Sequence, residues 1–234
     1  MQRNILFGIC GLTIGLLIGF FSANSINRSA TSQINTSQNS SNIPSALQQI
    51  PNITVKDQLQ PQQGGILPQI AETLDRAEKE PNNFEVQTKA GDMYAKIQRF
   101  DKAIEFYEKA NKINADDYQT IVKIGNTYFD TKEFEKAEKW YLQALEKNSN
   151  DINVRTDLGI TFVERTKPDL DRATKEFQTS LKTDARHEPT LYNLAVAYYK
   201  KNNTEEAQKI MVQMESINSQ STLATRLREI IARQ

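Results

Sequence analysis

Apolar and polar positions follow three different plans along the chain. From Ile5 to Phe21 the sequence ILFGICGLTIGLLIGFF holds no charge, and Ser22 and Ala23 extend the tolerable stretch. A helix of this length reaches roughly 26–28 Å, close to the thickness of a hydrocarbon core. That predicts one membrane-spanning helix over residues 1–23. Residues 24–65 then lose any apolar period. Ser, Asn, Gln, Thr, Pro and Gly dominate them, and only Arg28, Lys56 and Asp57 are charged. Such a stretch buries too little apolar surface to offset its ordering entropy, so it reads as a disordered polar linker spanning roughly 35 Å. Beyond residue 65, apolar residues recur three, four and seven apart, the spacing of amphipathic helices.

Three glycines index this helical region: Gly91, Gly125 and Gly159, spaced by 34 residues. Their neighbours repeat with them. Ala90, Ile124 and Leu158 precede them, and Tyr94, Tyr128 and Phe162 follow three residues later. Ala103, Ala137 and Ala173 open a second set. Four residues on stand Tyr107, Tyr141 and Phe177, and seven on stand Ala110, Ala144 and Ser180. A fourth copy runs through Leu194, Ala195, Tyr198, Ala207, Met211 and Met214. Each unit thus holds two helical segments around a short polar break such as Lys96-Ile97-Gln98-Arg99. One helix pair cannot bury its own apolar face, so the copies must stack.

This skeleton resembles the tetratricopeptide repeat, four times over, at 84–117, 118–151, 152–187 and 188–221. The resemblance implies an all-α fold, a right-handed α-α superhelix. The family's early Trp is replaced by Gln87, Ile121, Arg155 and Leu191, and its late Pro by Ala115, Ser149, Ala185 and Ser219. Repeat three carries two extra residues within Glu164-Arg165-Thr166-Lys167-Pro168-Asp169, where Pro168 or Asp169 opens the second helix. Apolar residues at 67, 70, 71, 74 and 77 predict a flanking helix within 66–83. Leu223, Leu227, Ile230 and Ile231 predict a C-terminal capping helix within 222–234.

Repeats of this kind form a concave groove lined by the first helix of each unit. The resemblance assigns Thr88, Asp92 and Lys96 to it in repeat one, and Val122, Asn126, Phe129 and Asp130 in repeat two. Repeat three adds Thr156, Ile160, Val163 and Glu164; repeat four adds Tyr192, Val196, Tyr199 and Lys200. Phe129, Ile160, Val163, Tyr192, Val196 and Tyr199 are expected to form an exposed apolar strip fit for a peptide or protein partner. The alternative is that the C-terminal helix folds over part of it, or that the helices pack more tightly than the consensus. Some relatives clamp terminal carboxylates with a Lys/Asn/Arg set. Here those positions hold Thr88, Asp92, Lys123, Asn153 and Asp157, so that clamp is absent.

Composition narrows the function. Lys plus Arg and Asp plus Glu are 29 each, so no net charge draws the chain to nucleic acid. One Cys and one His exclude an internal disulfide and a zinc site of four N/S ligands. No phosphate loop or nucleophile elbow occurs, and no cofactor or enzyme activity is expected. His187, in Ala185-Arg186-His187-Glu188-Pro189, reads as a solvated loop residue. Acid pairs such as Asp116-Asp117 and Glu205-Glu206 fall at helix starts, where the macrodipole favours them.

The apolar N-terminus admits two readings. It is an uncleaved signal-anchor, or a signal peptide cut near Ala23-Asn24-Ser25; length and the imperfect cleavage site favour the anchor. Both export the remainder, which predicts a single-pass cell-membrane protein with an extracytoplasmic, periplasmic repeat domain. Cys10 reads as a small buried apolar residue. Gly11, Gly15 and Gly19 share one helix face, which suits a homodimer in the bilayer or only reflects the frequency of glycine in such helices. The expected function is a membrane-tethered, non-catalytic protein-binding module. Alternatives are an apocytochrome-holding factor of cytochrome c biogenesis, which the architecture resembles, and another cell-envelope assembly factor.

Overall fold

The computed structural model describes residues 66–232, with side chains from residue 70. Residues 1–23 and 24–65, including the face of Gly11, Gly15 and Gly19, lie outside them. Among the described residues there are ten helices and no strand. No helix among them is long and apolar enough to cross a membrane.

The chain divides between residues 131 and 132 into two compact units. The boundary falls inside the second expected repeat. In residues 66–131 lie α1 (Ile66–Lys79), α2 (Phe84–Lys96), α3 (Phe100–Ile113) and α4 (Tyr118–Asp130). Each packs against the next. Residues 132–232 contain α5 (Phe134–Lys147), α6 (Ile152–Glu164), α7 (Leu170–Thr183), α8 (Glu188–Lys200), α9 (Thr204–Ile217) and α10 (Thr222–Ile231). Here too neighbours in sequence pack together, while α6 also reaches α8 and α8 reaches α10. One helix, α1, precedes the first expected repeat and another, α10, follows the fourth.

Local chemistry sets the helix boundaries at the same repeat positions. The residues preceding the first helices are Asn83, Asp117, Asp151, His187 and Ser221. Four of these accept a backbone N–H three residues on, satisfying an orphan donor of the first turn. His187 does not, and Pro189 enters the first turn of α8 instead. Asp169 caps α7 through the Arg172 N–H, so it is Asp169 that opens the helix after the insertion.

The turns between paired helices share one feature. Gln98, Lys132 and Asn202 have φ of 60°, 63° and 59°, in the left-handed region. They occupy one position in repeats one, two and four. In repeat three the two extra residues replace that tight turn, and Arg165 instead continues extended with ψ of 155°. The longer turn is tied down by chemistry of its own. Arg165 and Arg172 both donate to Glu138, the latter at 2.5 Å, and both lie over the Phe162 ring.

The repeat skeleton is the core. Ala103, Tyr107, Ala137, Tyr141, Phe162, Ala173, Phe177, Ala195 and Ala207 are buried, as are Tyr94 and Tyr128. Tyr198 is the exception: it is half-buried, and its hydroxyl accepts from Gln178 at 2.9 Å. Gly91, Gly125 and Gly159 are buried too. A Cβ at Gly91 would meet the Tyr107 ring at 2.5 Å, and one at Gly159 would collide with the Phe177 ring. The absence of a side chain is what lets the paired helix approach. The departures from the family's Trp are accommodated individually. Ile121 and Leu191 stay apolar and buried. Gln87 is also buried, and its amide donates to the carbonyls of Ala77 and Glu80, tying α2 to the end of α1. Arg155 instead pairs with Glu176 at 2.7 Å.

Candidate partner-binding face

The first helices carry the inner-face positions, and each unit presents its own set. In residues 66–131, Asp92 is held by two donors. The Tyr107 hydroxyl donates to it at 2.8 Å, and Lys123 Nζ lies 2.8 Å away. Lys123 also sits 5.8 Å from the centre of the Tyr107 ring. Burial, reinforced by the Asp92 carboxylate, raises the Tyr107 hydroxyl well above the usual phenol range. Asn126 is half-buried and Asp130 exposed, whereas Phe129 is buried. This face is polar and already internally paired at Asp92.

In residues 132–232 the inner positions behave differently from the expectation. Ile160 and Val163 are 1% exposed, and Thr156, Tyr192 and Val196 are 0% exposed. Tyr199 is buried as well, and Lys200 half-buried. The residues expected to form an exposed apolar strip are thus buried. Physical reasons are visible at several points. The Thr156 hydroxyl is 2.6 Å from that of Thr190, so this position is a seam between α6 and α8. Ser180 joins the pair and donates to the Ile152 carbonyl. The capping helix α10 packs against α8, and the Ser221 hydroxyl donates to the Glu188 carboxylate at the shared end. A strip of this size left in water would also be costly.

The rim of this face is polar. Glu164 and Lys200 occupy the last inner positions of α6 and α8. Burial raises the Glu164 carboxyl above its ordinary range, although Lys200 and Lys132 pull it back. His187, expected in solvent, is half-buried; Nδ1 lies 2.6 Å from the Thr190 hydroxyl. Burial lowers its pKa against the opposing pull of Asp184 and Asp151. The signal for its position was available in the helix-start spacing, where it stands in line with Asp151 and Ser221. Among the described residues no group of His, Cys, Asp and Glu could hold a metal ion.

Models described as tetratricopeptide repeat match residues 94–156 and 188–220. The chain carries tetratricopeptide repeats. No curated protein matches it. Solved repeat structures do, at low identity. One is YrrB, described as a tetratricopeptide repeat protein with an unusual peptide-binding site. It is 22% identical with a TM-score of 0.60, over 68% of this chain and 81% of that one. MamA from Desulfovibrio magneticus RS-1 is 15% identical with a TM-score of 0.60, over 65% and 86%. A tetratricopeptide repeat protein from Parabacteroides merdae is 16% identical with a TM-score of 0.58, over 63% and 58%. At these identities the likeness concerns the fold.

Proposed function

We propose that this chain is a non-catalytic module that binds a peptide or protein segment on the inner face of its repeats. The repeat array itself supports the reading, because within each unit its first helices present a register of side chains rather than a reactive cluster. One observation carries it furthest. Ile160, Val163, Val196 and Tyr199 line up as apolar side chains at successive inner positions of α6 and α8. The peptide-binding site attributed to YrrB makes the same use of this fold plausible here. These side chains are buried, so a ligand of this face would have to displace what covers them.

We further propose that residues 5–23 tether the module to a bilayer, with residues 24–65 as the leash and the repeats on the extracytoplasmic side. No described residue is specific to holding apocytochrome, so the reading stays at the level of a peptide ligand.

Positional photocrosslinking tests the binding face. A photoreactive side chain is placed at Lys200 on the rim, or at the exposed Val212 of α9, in the full chain in its native membrane. A common adduct from Lys200 that is absent from Val212 is expected. Equal adducts from both positions, or none from Lys200, would remove the inner face from consideration.

A further inference from the structure

Over two turns no side of α6 meets water, because every residue from Thr156 to Val163 is buried. α7 takes one side, where Gly159 faces the Phe177 ring, and α8 takes another, where Thr156 meets Thr190. The inner side is covered as well. Ile160 of α6 and Asn193 of α8 are 1% and 0% exposed. Two repeats earlier the same positions hold Asp92 of α2 and Lys123 of α4, which touch each other. Their side chains remain 37% and 33% exposed. A pair of first helices thus leaves this seam open to solvent in residues 66–131, and the same seam between α6 and α8 carries a cover.

The buried atoms indicate the chemistry of that cover. Ile160, Val163 and Val196 are apolar. Asn193 Oδ1 and the Tyr192 hydroxyl are buried without a hydrogen-bond partner. A cover rich in polar groups would bond them, and an apolar one does not. Among residues 1–65, one stretch has that character: residues 5–21, ILFGICGLTIGLLIGFF. Residues 24–65 are rich in Ser, Asn and Gln and would supply donors and acceptors. Size agrees too. A helix over residues 5–21 is roughly 26 Å long. Neighbouring helix axes lie roughly 10 Å apart, so α6, α8 and α10 together present a face roughly 20–30 Å wide. Residues 22–65 reach up to roughly 150 Å when extended, and a tethered segment outcompetes the same segment on another molecule.

We propose that residues 5–21 are this cover: outside a bilayer they dock, in their own chain, on the inner face of α6 and α8. The repeats then shield their own membrane segment from water, and insertion of that segment uncovers the face. This last step rests on the peptide-binding reading above and gives it a trigger, whereas the docking stands without it.

Cys10, the one cysteine of the chain, lies in the middle of the apolar run and provides the test. The full chain is made by cell-free synthesis without membranes and oxidised at low protein concentration. A second cysteine replaces Val196, Lys200 on the rim, or the exposed Val212 of α9. An intramolecular disulfide is expected for Val196→Cys and Lys200→Cys and not for Val212→Cys, with thermal melts confirming folding. Phosphatidylcholine vesicles present during synthesis should abolish it. Disulfides at neither inner position, or equally at all three, overturn the docking. Disulfide-linked dimers would assign the cover to a second copy and overturn it too. A second measurement leaves the repeats intact apart from the probe. With Cys10→Ala, the thiol placed at position 196 should react with a water-soluble maleimide about tenfold or more faster once Leu16→Asp and Leu17→Asp are added. An unchanged rate refutes the docking. The photocrosslinking from Lys200 in the native membrane is independent of these results, so the peptide reading stands or falls separately.

Discussion

Glu138 shows how one residue stabilises an irregular turn. Its side chain is 17% exposed and takes both Arg165, from the inserted segment, and Arg172, from the first turn of α7. Burial pushes its carboxyl up, but the hydrogen bonds from Arg172 and Arg165 outweigh that and hold it below the ordinary carboxylate range. The folded state therefore binds this proton less readily than the unfolded chain. The stabilisation is present above the unfolded carboxylate pKa and fades as pH falls through the lower folded value. Glu138→Gln is expected to cost roughly 2 kcal/mol at pH 7 in urea titrations. The gap between variant and parent should close in acid. A constant gap across pH would mean that the carboxylate charge contributes nothing. The pairing was not legible in the sequence, because Glu138 reads as part of a charged, solvated helix face. Its partners lie 27 and 34 residues away.

At the scale of the element, the repeat period was legible and the turns were not. Apolar spacing located the helices, and Gly91 and Gly159 marked where paired helices approach. The left-handed residues Gln98 and Lys132 carry no such mark, since Gln and Lys are not residues that favour positive φ, whereas Asn202 is of a type that does. Tertiary packing of the pair imposes the turn on whatever residue stands there. Gln98→Gly and Lys132→Gly should therefore each stabilise the protein, by about 0.5 kcal/mol after the glycine entropy is counted. Thr166→Gly, in the repeat whose turn takes the longer route, should give no gain. Denaturant midpoints of the three variants check this, and a gain at all three would reduce the effect to composition. His187 teaches the same lesson in reverse. Its window looks like a loop, and only its alignment with the other helix starts reveals the packed site beside Thr190.

For the whole molecule, burial is distributed by helix type. In residues 132–232, α6 and α8 are buried around most of their circumference, while α5, α7 and α9 bury one stripe. The low polarity of α6 and α8 was visible in the sequence, but it suggested a surface open to a partner. Side-chain pattern states that a face is apolar; it does not state which neighbour covers it. Amide exchange separates the two readings. Amides of α6 and α8 should exchange most slowly in this unit, and a ligand of the inner face should slow α10 further. Fast exchange across α6 would place the face open in solution.

The inserted turn of repeat three has a use outside the chain's own biology. Two added residues leave the following repeat in phase, with Thr156 and Thr190 still 2.6 Å apart across the seam. Thr166, Lys167 and Pro168 are exposed. The added chain is taken up at the surface, so an epitope or fluorescent reporter spliced between Thr166 and Lys167 is expected to be carried as long as Arg165 and Arg172 keep their bonds to Glu138.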